Sequence, residues 1–558
     1  VSAGGLSGGR SHPLEVALQR SLGVGESVLI DDLDQVGCNE LSQTGGRYML
    51  SVYNASTSKD ARATFQLRGA GGAAFSPAVS RSMGSLSARR SASPAVPDPA
   101  ATAHARLLEA NQEILRRLGT GGLQSRIRAS RSAAALPVVG DTMRIRVADI
   151  NSSSLCRTYS EITARVAYVG SRAIILEDRR APLAGQMDAD FGQMGREVDG
   201  PMWQVLETNF GNPLAVDART DANQRVLMVF TPAVNDFENI AGFVFSGDLF
   251  PRAQCEASNQ AEVFYATVPT NVAEGFASGT REQWKWTMRS TLIHEVKHIT
   301  SYAERLSRNA TVFEESWLEE STARISEELW ARVVFGYPGK TNVTYQESLY
   351  CESRPTRAEC QGSPLVVRKH FGGLYDYLES IETLTPLGRT KDGDFTFYGS
   401  GWSLVRWSAD HFGTSDAAFF KALNQEPNLA GLGNLTARTG RSWSELLGPW
   451  TLSLATDDYP GFTPTNPLLS FPSWNIRDIF AGLHTVFQGQ GFYTRTFPLI
   501  PRAVSFGSFS VDVSQLNGGT AAIFELSGAQ AGKQLLELSS IGGGAPAFTL
   551  RMGVVRVQ

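Results

Sequence analysis

The 558-residue chain has no run of about 18 apolar residues, the length that a membrane-spanning helix requires. Lysine is scarce, 8 residues against 43 arginines, and the formal charge is only −4. No basic patch with interleaved aromatics occurs, so neither nucleic acid nor an anionic membrane surface is an expected partner. The arginine bias suggests GC-rich coding and a bacterial source. The chain opens Val1-Ser2-Ala3-Gly4-Gly5 with no methionine, no charged region and no apolar stretch. The expectation is that a signal peptide has been removed or the chain trimmed. Oligomeric state has no signature in the sequence.

Cysteine is also sparse, five residues with no CxxC pair. Cys351 and Cys360 bracket the polar stretch CESRPTRAEC, a length that a disulfide can close. Cys38 and Cys156 could join two β-rich segments, which would leave Cys255 free. Disulfides of this kind point to an exported or cell-surface protein.

What the chain does have is ordinary globular composition, 42% apolar and 19% charged, spread over a length that calls for several domains. Residues 1–68 read as a β domain, with GGRYMLSVYN alternating around Tyr48, Leu50 and Val52, and ATFQLRG around Phe65 and Leu67. Residues 69–137 read as a flexible linker, rich in Gly, Ala, Ser and Arg, with one short helix at 101–119. Residues 138–200 read as a β-rich subdomain through TMRIRVADI, TARVAYVG and AIILED. From 201 to 499 strands give way to long helical patterns, at 280–308, 313–334, 365–383, 398–412, 416–424 and 442–454. After 500, SFSVDV, AAIFEL, LLEL and LRMGVVRVQ predict a C-terminal β domain. The fold class is therefore α+β.

The chemistry lies in STLIHEVKHITSYAERL, residues 290–306. Met288, Leu292, Ile293, Val296, Ile299 and Leu306 recur at helical spacing. His294 and His298, four apart, then face the same way one turn apart and can share one tetrahedral zinc. Glu295 can reach the open position of that metal as a general base. With only seven histidines, a chance HExxH is expected in roughly one such chain in two hundred. A third ligand is required. VFEESWLEESTARISEELW, residues 312–330, carries Glu314, Glu315, Glu319, Glu320, Glu327 and Glu328, most of them expected to be solvated helix-surface charges. Glu320 and Glu327, seven apart, share one face and could supply a ligand and its supporting carboxylate.

HEVKH followed by SWLEESTARISEE resembles the gluzincin zinc metallopeptidases, which place HExxH on one helix and a glutamate ligand in a W-L-N-E-G-type turn of the next. TREQWKWTMRSTLIHEVKHIT and FTFYGSGWSLVRWSADHFG resemble most the hyicolysin-type bacterial extracellular metallopeptidases. The resemblance spans about 138–460. It implies a thermolysin-like domain flanked by the two β-rich domains, with His294, His298 and Glu320 as zinc ligands and Glu295 as general base and acid. It further implies Glu327 as an outer carboxylate and Tyr398 as the oxyanion donor, with His370 and His411 as runners-up. Glu319 stands where the pattern has Asn, and Ser321 where it has Gly, so Glu319 is a rival ligand. The G-x-M-E-N signature of the gluzincin aminopeptidases is absent, which favours an endopeptidase of protein or peptide substrates. Substrate is expected to pair with AEVFYATVP, residues 261–269, as an edge strand. The rival readings are an adhesion protein with a degenerate or structural zinc site, and a zinc aminopeptidase. No calcium loop motif is present.

Overall fold

A computed structural model describes residues 18–31, 38–41, 46–71, 99–119, 136–237, 240–270, 279–388, 395–528 and 532–558. The glycine-, alanine- and serine-rich stretches at 72–98 and 120–135, read above as linker, lie outside the described residues. The first strands in the chain are β1 (Leu18–Arg20), β2 (Ser27–Ile30), β3 (Cys38–Leu41), β4 (Gly46–Asn54) and β5 (Arg62–Gly71). Next come β6 (Thr142–Ala148), β7 (Tyr159–Val169), β8 (Ala173–Asp178), β9 (Val226–Phe230), β10 (Gly242–Val244) and β11 (Val263–Ala266). The last are β12 (Arg502–Ser505), β13 (Phe509–Asn517), β14 (Ala521–Gly528), β15 (Gln534–Ser539) and β16 (Leu550–Arg556). The molecule is α+β, and among the described residues no helix is long and apolar enough to cross a membrane.

The chain divides into two compact units: Val1–Arg89 with Leu447–Ser470 and Pro501–Gln558, and Arg90–Leu446 with Phe471–Ile500. The first unit corrects the reading of separate N- and C-terminal β domains. Its two five-stranded sheets run β1-β3-β15-β5-β13 and β12-β14-β4-β16-β2. Strand β4 lies between β14 and β16, and β5 between β13 and β15, so neither terminal segment completes a sheet alone. Alternate residues of both segments fill one core: Tyr48, Leu50, Val52, Phe65 and Leu67 pack with Phe524, Leu526, Leu536, Leu538, Met552 and Val554. Successive residues of a strand point to opposite faces, and the other face of β4, with Met49, Ser51 and Tyr53, is buried as well.

The second unit holds one six-stranded sheet, β10-β11-β9-β8-β7-β6. Strands β8, β9 and β11 are mutually parallel and the others antiparallel. Strand β8 pairs directly with β9, so 138–200 is not a separate subdomain but half of the sheet that carries the site. Residues 188–200, read above as β, are helical, and the helical stretch runs on to 209. AEVFYATVP contains β11, which lies inside the sheet; the edges are β10, next to it, and β6. Cys351 pairs with Cys360 as expected, but Cys156 pairs with Cys255, not with Cys38. That bond joins the β6–β7 connection to the β10–β11 connection.

Five helices of this unit build the site: α1 (Pro99–Ile114), α2 (Arg281–Ser307), α3 (Ser316–Phe335), α4 (Arg368–Glu379) and α5 (Phe397–Phe412). Helix α2 starts where Thr280 and Gln283 form a reciprocal capping box. It is buried on nearly all sides, as a core helix must be when apolar residues surround it. Trp284 anchors it to the sheet, its ring 5.6 Å from that of Phe230 and its indole N–H donating to Thr267 O at 2.9 Å. Helix α3 ends at Gly336, whose φ of 74° only glycine adopts without cost.

Candidate metal centre

Helix α2 presents His294, Glu295 and His298 together, with one ligand-capable atom of each within 4.8 Å of the others. All three are buried, at 8%, 7% and 4% exposure. Helix α3 supplies the opposing wall. Glu320 Oε2 lies 3.2 Å from His294 Nε2, and Glu320 Oε1 lies 3.5 Å from His298 Nε2. The other nitrogen of each ring is held from behind. His294 Nδ1 is 2.6 Å from Glu327 Oε1, and His298 Nδ1 is 2.8 Å from Glu319 Oε1. An ionised carboxylate only accepts, so Nδ1 of each ring carries the proton. His294 Nε2, His298 Nε2 and the carboxylate of Glu320 face one another. With both rings neutral, as a bound cation would require, these three groups would act as its donors. Two imidazoles and one carboxylate is a donor set that zinc takes, with a fourth position left open. These residues would suit a divalent cation such as zinc.

The electrostatics agree. Burial alone would lower the His294 pKa, but hydrogen bonds to Glu320 and Glu327, and their charges, raise it to about 9. Two nearby carboxylates thus create a strong demand for positive charge between them. Burial raises Glu295 to about 7, partly offset by the two histidines. That value matches a group that accepts and returns a proton near neutral pH.

Glu319 is not placed as a ligand. Burial would raise its pKa, yet Lys297, His298 and Ser301 together pull it down to about 2. Lys297 Nζ is 2.9 Å from Glu319 Oε1, and Ser301 Oγ donates to Oε2 at 2.7 Å. Glu327 is depressed likewise: burial opposes ionisation, but Lys369 and Arg324 outweigh it. Lys369 Nζ lies 2.6 Å from Glu327 Oε2 and Arg324 3.6 Å from Oε1. Each imidazole is therefore oriented by a permanently charged carboxylate with its own buried or half-buried cation.

Tyr398 enters from the first turn of α5. It is buried, and the Arg324 guanidinium lies 5.2 Å from its ring centre. Burial, then the charge of Glu320 and a hydrogen bond to it, push its hydroxyl well above the usual tyrosine value. The GSGW sequence allows this position. A side chain at Gly401 would strike Ser321 of α3, and one at Gly399 would strike the backbone of α4. His370 is elsewhere in the network, its Nε2 donating to Arg324 O at 2.9 Å, and burial lowers its pKa to about 3. His411 packs on Trp407 in the last turn of α5.

The reading of 312–330 as a largely solvated acidic face is overturned. Glu314, Glu319, Glu320, Glu327 and Glu328 are all buried, and Glu315 alone of the six is exposed. Glu314 pairs with Arg305 at 2.7 Å, and Glu328 accepts from the Trp402 indole at 2.7 Å. Sequence reasoning missed Lys297, Ser301 and Lys369. The signal for Lys297 was a cation between apolar Val296 and Ile299; Lys369 gave none. A second carboxylate group, Asp217, Asp221 and Glu262, also lies within 4.8 Å and was not foreseen. The sequence matches no protein-family profile, and no curated protein matches it either.

Proposed function

We propose that this chain is an exported zinc-dependent endopeptidase of the thermolysin-like, gluzincin kind, with His294, His298 and Glu320 as ligands. The observation that carries the reading is the approach of the Glu320 carboxylate to His294 Nε2 and His298 Nε2, beside a buried Glu295 on the same helix as the histidines. A purely structural site has no use for that additional carboxylate and usually closes with a fourth ligand. Zinc, when bound, supplies the Lewis acidity that lets a water lose its proton near neutral pH. Glu295, held near 7 by burial, takes that proton and later hands it to the leaving amine. The Tyr398 hydroxyl, kept protonated, donates a hydrogen bond to the oxygen on which charge develops. Strand β10 is the sheet edge to which an extended peptide would add, in place of the Asn111 side chain that now bonds Val244 O and Ser246 N. The two disulfides support an oxidising compartment.

The test is hydrolysis of an unfolded protein such as casein by wild type and Glu295→Gln, both shown by metal analysis to hold one zinc. The variant should be slower by at least about 100-fold, the usual loss on removing a general base. Equal rates, or zinc lost with the glutamate, would sink the assignment.

A further inference from the structure

We propose that Arg324 recognises an acidic side chain on the substrate, next to the bond that is cut, so that this centre prefers peptides with aspartate or glutamate at that place. The proposal rests on the peptidase reading above and adds its substrate class.

A buried guanidinium is costly unless acceptors take its N–H groups. Other buried arginines of this unit meet that need. Arg305 donates to Glu314 at 2.7 Å, Arg332 to Glu328 at 3.0 Å, and Arg406 to Asp410 at 2.8 Å. Arg324 does not. Its Nε and Nη1 are buried and make no hydrogen bond among the described residues. Glu327 Oε1 lies 3.6 Å from Nη1, and that oxygen is already held by His294 Nδ1 at 2.6 Å. The other oxygen of Glu327 is taken by Lys369 at 2.6 Å, and Glu319 is matched by Lys297 at 2.9 Å. With each backing carboxylate paired to its own lysine, Arg324 is a surplus positive charge whose donors still lack an acceptor.

Its place gives the surplus a use. Arg324 follows Glu320 by four residues on α3, on the same face and about 6 Å further along the axis. Its guanidinium lies 5.2 Å from the ring centre of Tyr398, whose hydroxyl bonds Glu320. Glu320, Tyr398 and Arg324 therefore form one wall that starts at the metal-binding carboxylate. The main-chain oxygen of Arg324 accepts from His370 Nε2 at 2.9 Å, which fixes this turn of α3 against α4. The side chain keeps 17% exposure, so the wall is open to solvent there. A carboxylate brings a guanidinium two acceptor oxygens and a full negative charge. A carboxamide of the same shape brings one oxygen and two N–H donors that face the cation badly. A site with unmatched polar groups discriminates strongly between two such isosteres.

The experiment uses the full chain loaded with zinc, its metal content measured, and two probes: the hydroxamates of acetyl-aspartate and acetyl-asparagine. Calorimetry gives both affinities. Fluorogenic peptides that differ only in Asp or Asn, at either residue flanking the cut bond, give KM and kcat. Wild type should bind the aspartyl probe at least tenfold more tightly and show the same preference in KM at one of the two peptide positions. Arg324→Gln should abolish the preference, and Arg324→Lys, which keeps the charge, should retain at least threefold of it. Each ratio is taken within one protein, so a variant that folds or holds zinc less well does not distort it. Equal affinities in wild type, or no binding of either probe, overturn the proposal. A preference that survives Arg324→Gln, or is lost alike in both variants, overturns it too. A probe preference controlled by Arg324, with no peptide cleaved, keeps the acidic site and overturns the peptidase reading instead.

Discussion

Glu319 and Glu320 are adjacent and chemically identical, yet they meet opposite sides of the imidazoles. Glu320 faces both Nε2 atoms, whereas Glu319 grips His298 Nδ1 from behind. Replacing each should therefore fail differently. Glu320→Ala removes one of three donors and should lower zinc affinity by more than 100-fold. Glu319→Gln keeps all donors and only loosens one ring, a loss of about 10–100-fold. Competition with a chromogenic chelator measures both, and equal losses would contradict the arrangement. Two histidines one turn apart were legible in the sequence because helix periodicity fixes which side chains share a face. The shared face of Glu320 and Glu327 also favoured Glu320 over its neighbour, whereas the place of Glu319 behind His298 was not legible, because that depends on how α2 and α3 cross.

Elements with local causes were readable. Helix α2 follows from its apolar period and its Thr280 cap, and the strands β4, β5 and β14 from their alternation. What failed was non-local. The order of strands places β11 inside the sheet, and no property of AEVFYATVP itself records who its neighbours are. The acidic stretch of α3 was misread because a solvated glutamate and one paired with a buried cation look alike in one dimension. At this scale Asp217, Asp221 and Glu262, between the helices and β11, set a pH dependence. Burial and mutual repulsion raise Asp221 to about 7 and Glu262 well above its ordinary value, and burial raises Asp217. Raised carboxyl pKa values mean that the folded protein keeps protons the unfolded chain releases. The stability they contribute is complete below about pH 4 and is lost as pH rises through about 7. The melting temperature of wild type should fall between pH 5 and 8, and Glu262→Gln should flatten that fall. Parallel curves for the two proteins would count against it.

Across the whole molecule, long-range closures carry much of the stability. The Cys156–Cys255 bond spans 99 residues and Cys351–Cys360 only 9. Loop-closure entropy grows with the logarithm of length, so Cys255→Ser should cost roughly 2 kcal/mol more than Cys360→Ser, and about 2–5 kcal/mol in all. Urea unfolding of the two variants tests the difference. A chain ended at Ile500 should lose the first unit, because β4 and β5 would each lack both neighbours. Trypsin should then cut within 18–71 much faster than in the full chain, and equal rates would mean that those strands hold themselves together.

The shared sheets also set a timetable. A ribosome delivers residues in order, and domains tend to fold as they emerge. Strands β4 and β5 appear early, but their partners β13 to β16 follow only after every residue of the second unit has been made. For most of its synthesis the chain carries two unpaired strands with exposed backbone edges. The second unit can assemble in that interval, and the first closes last, around the final strands to be translated.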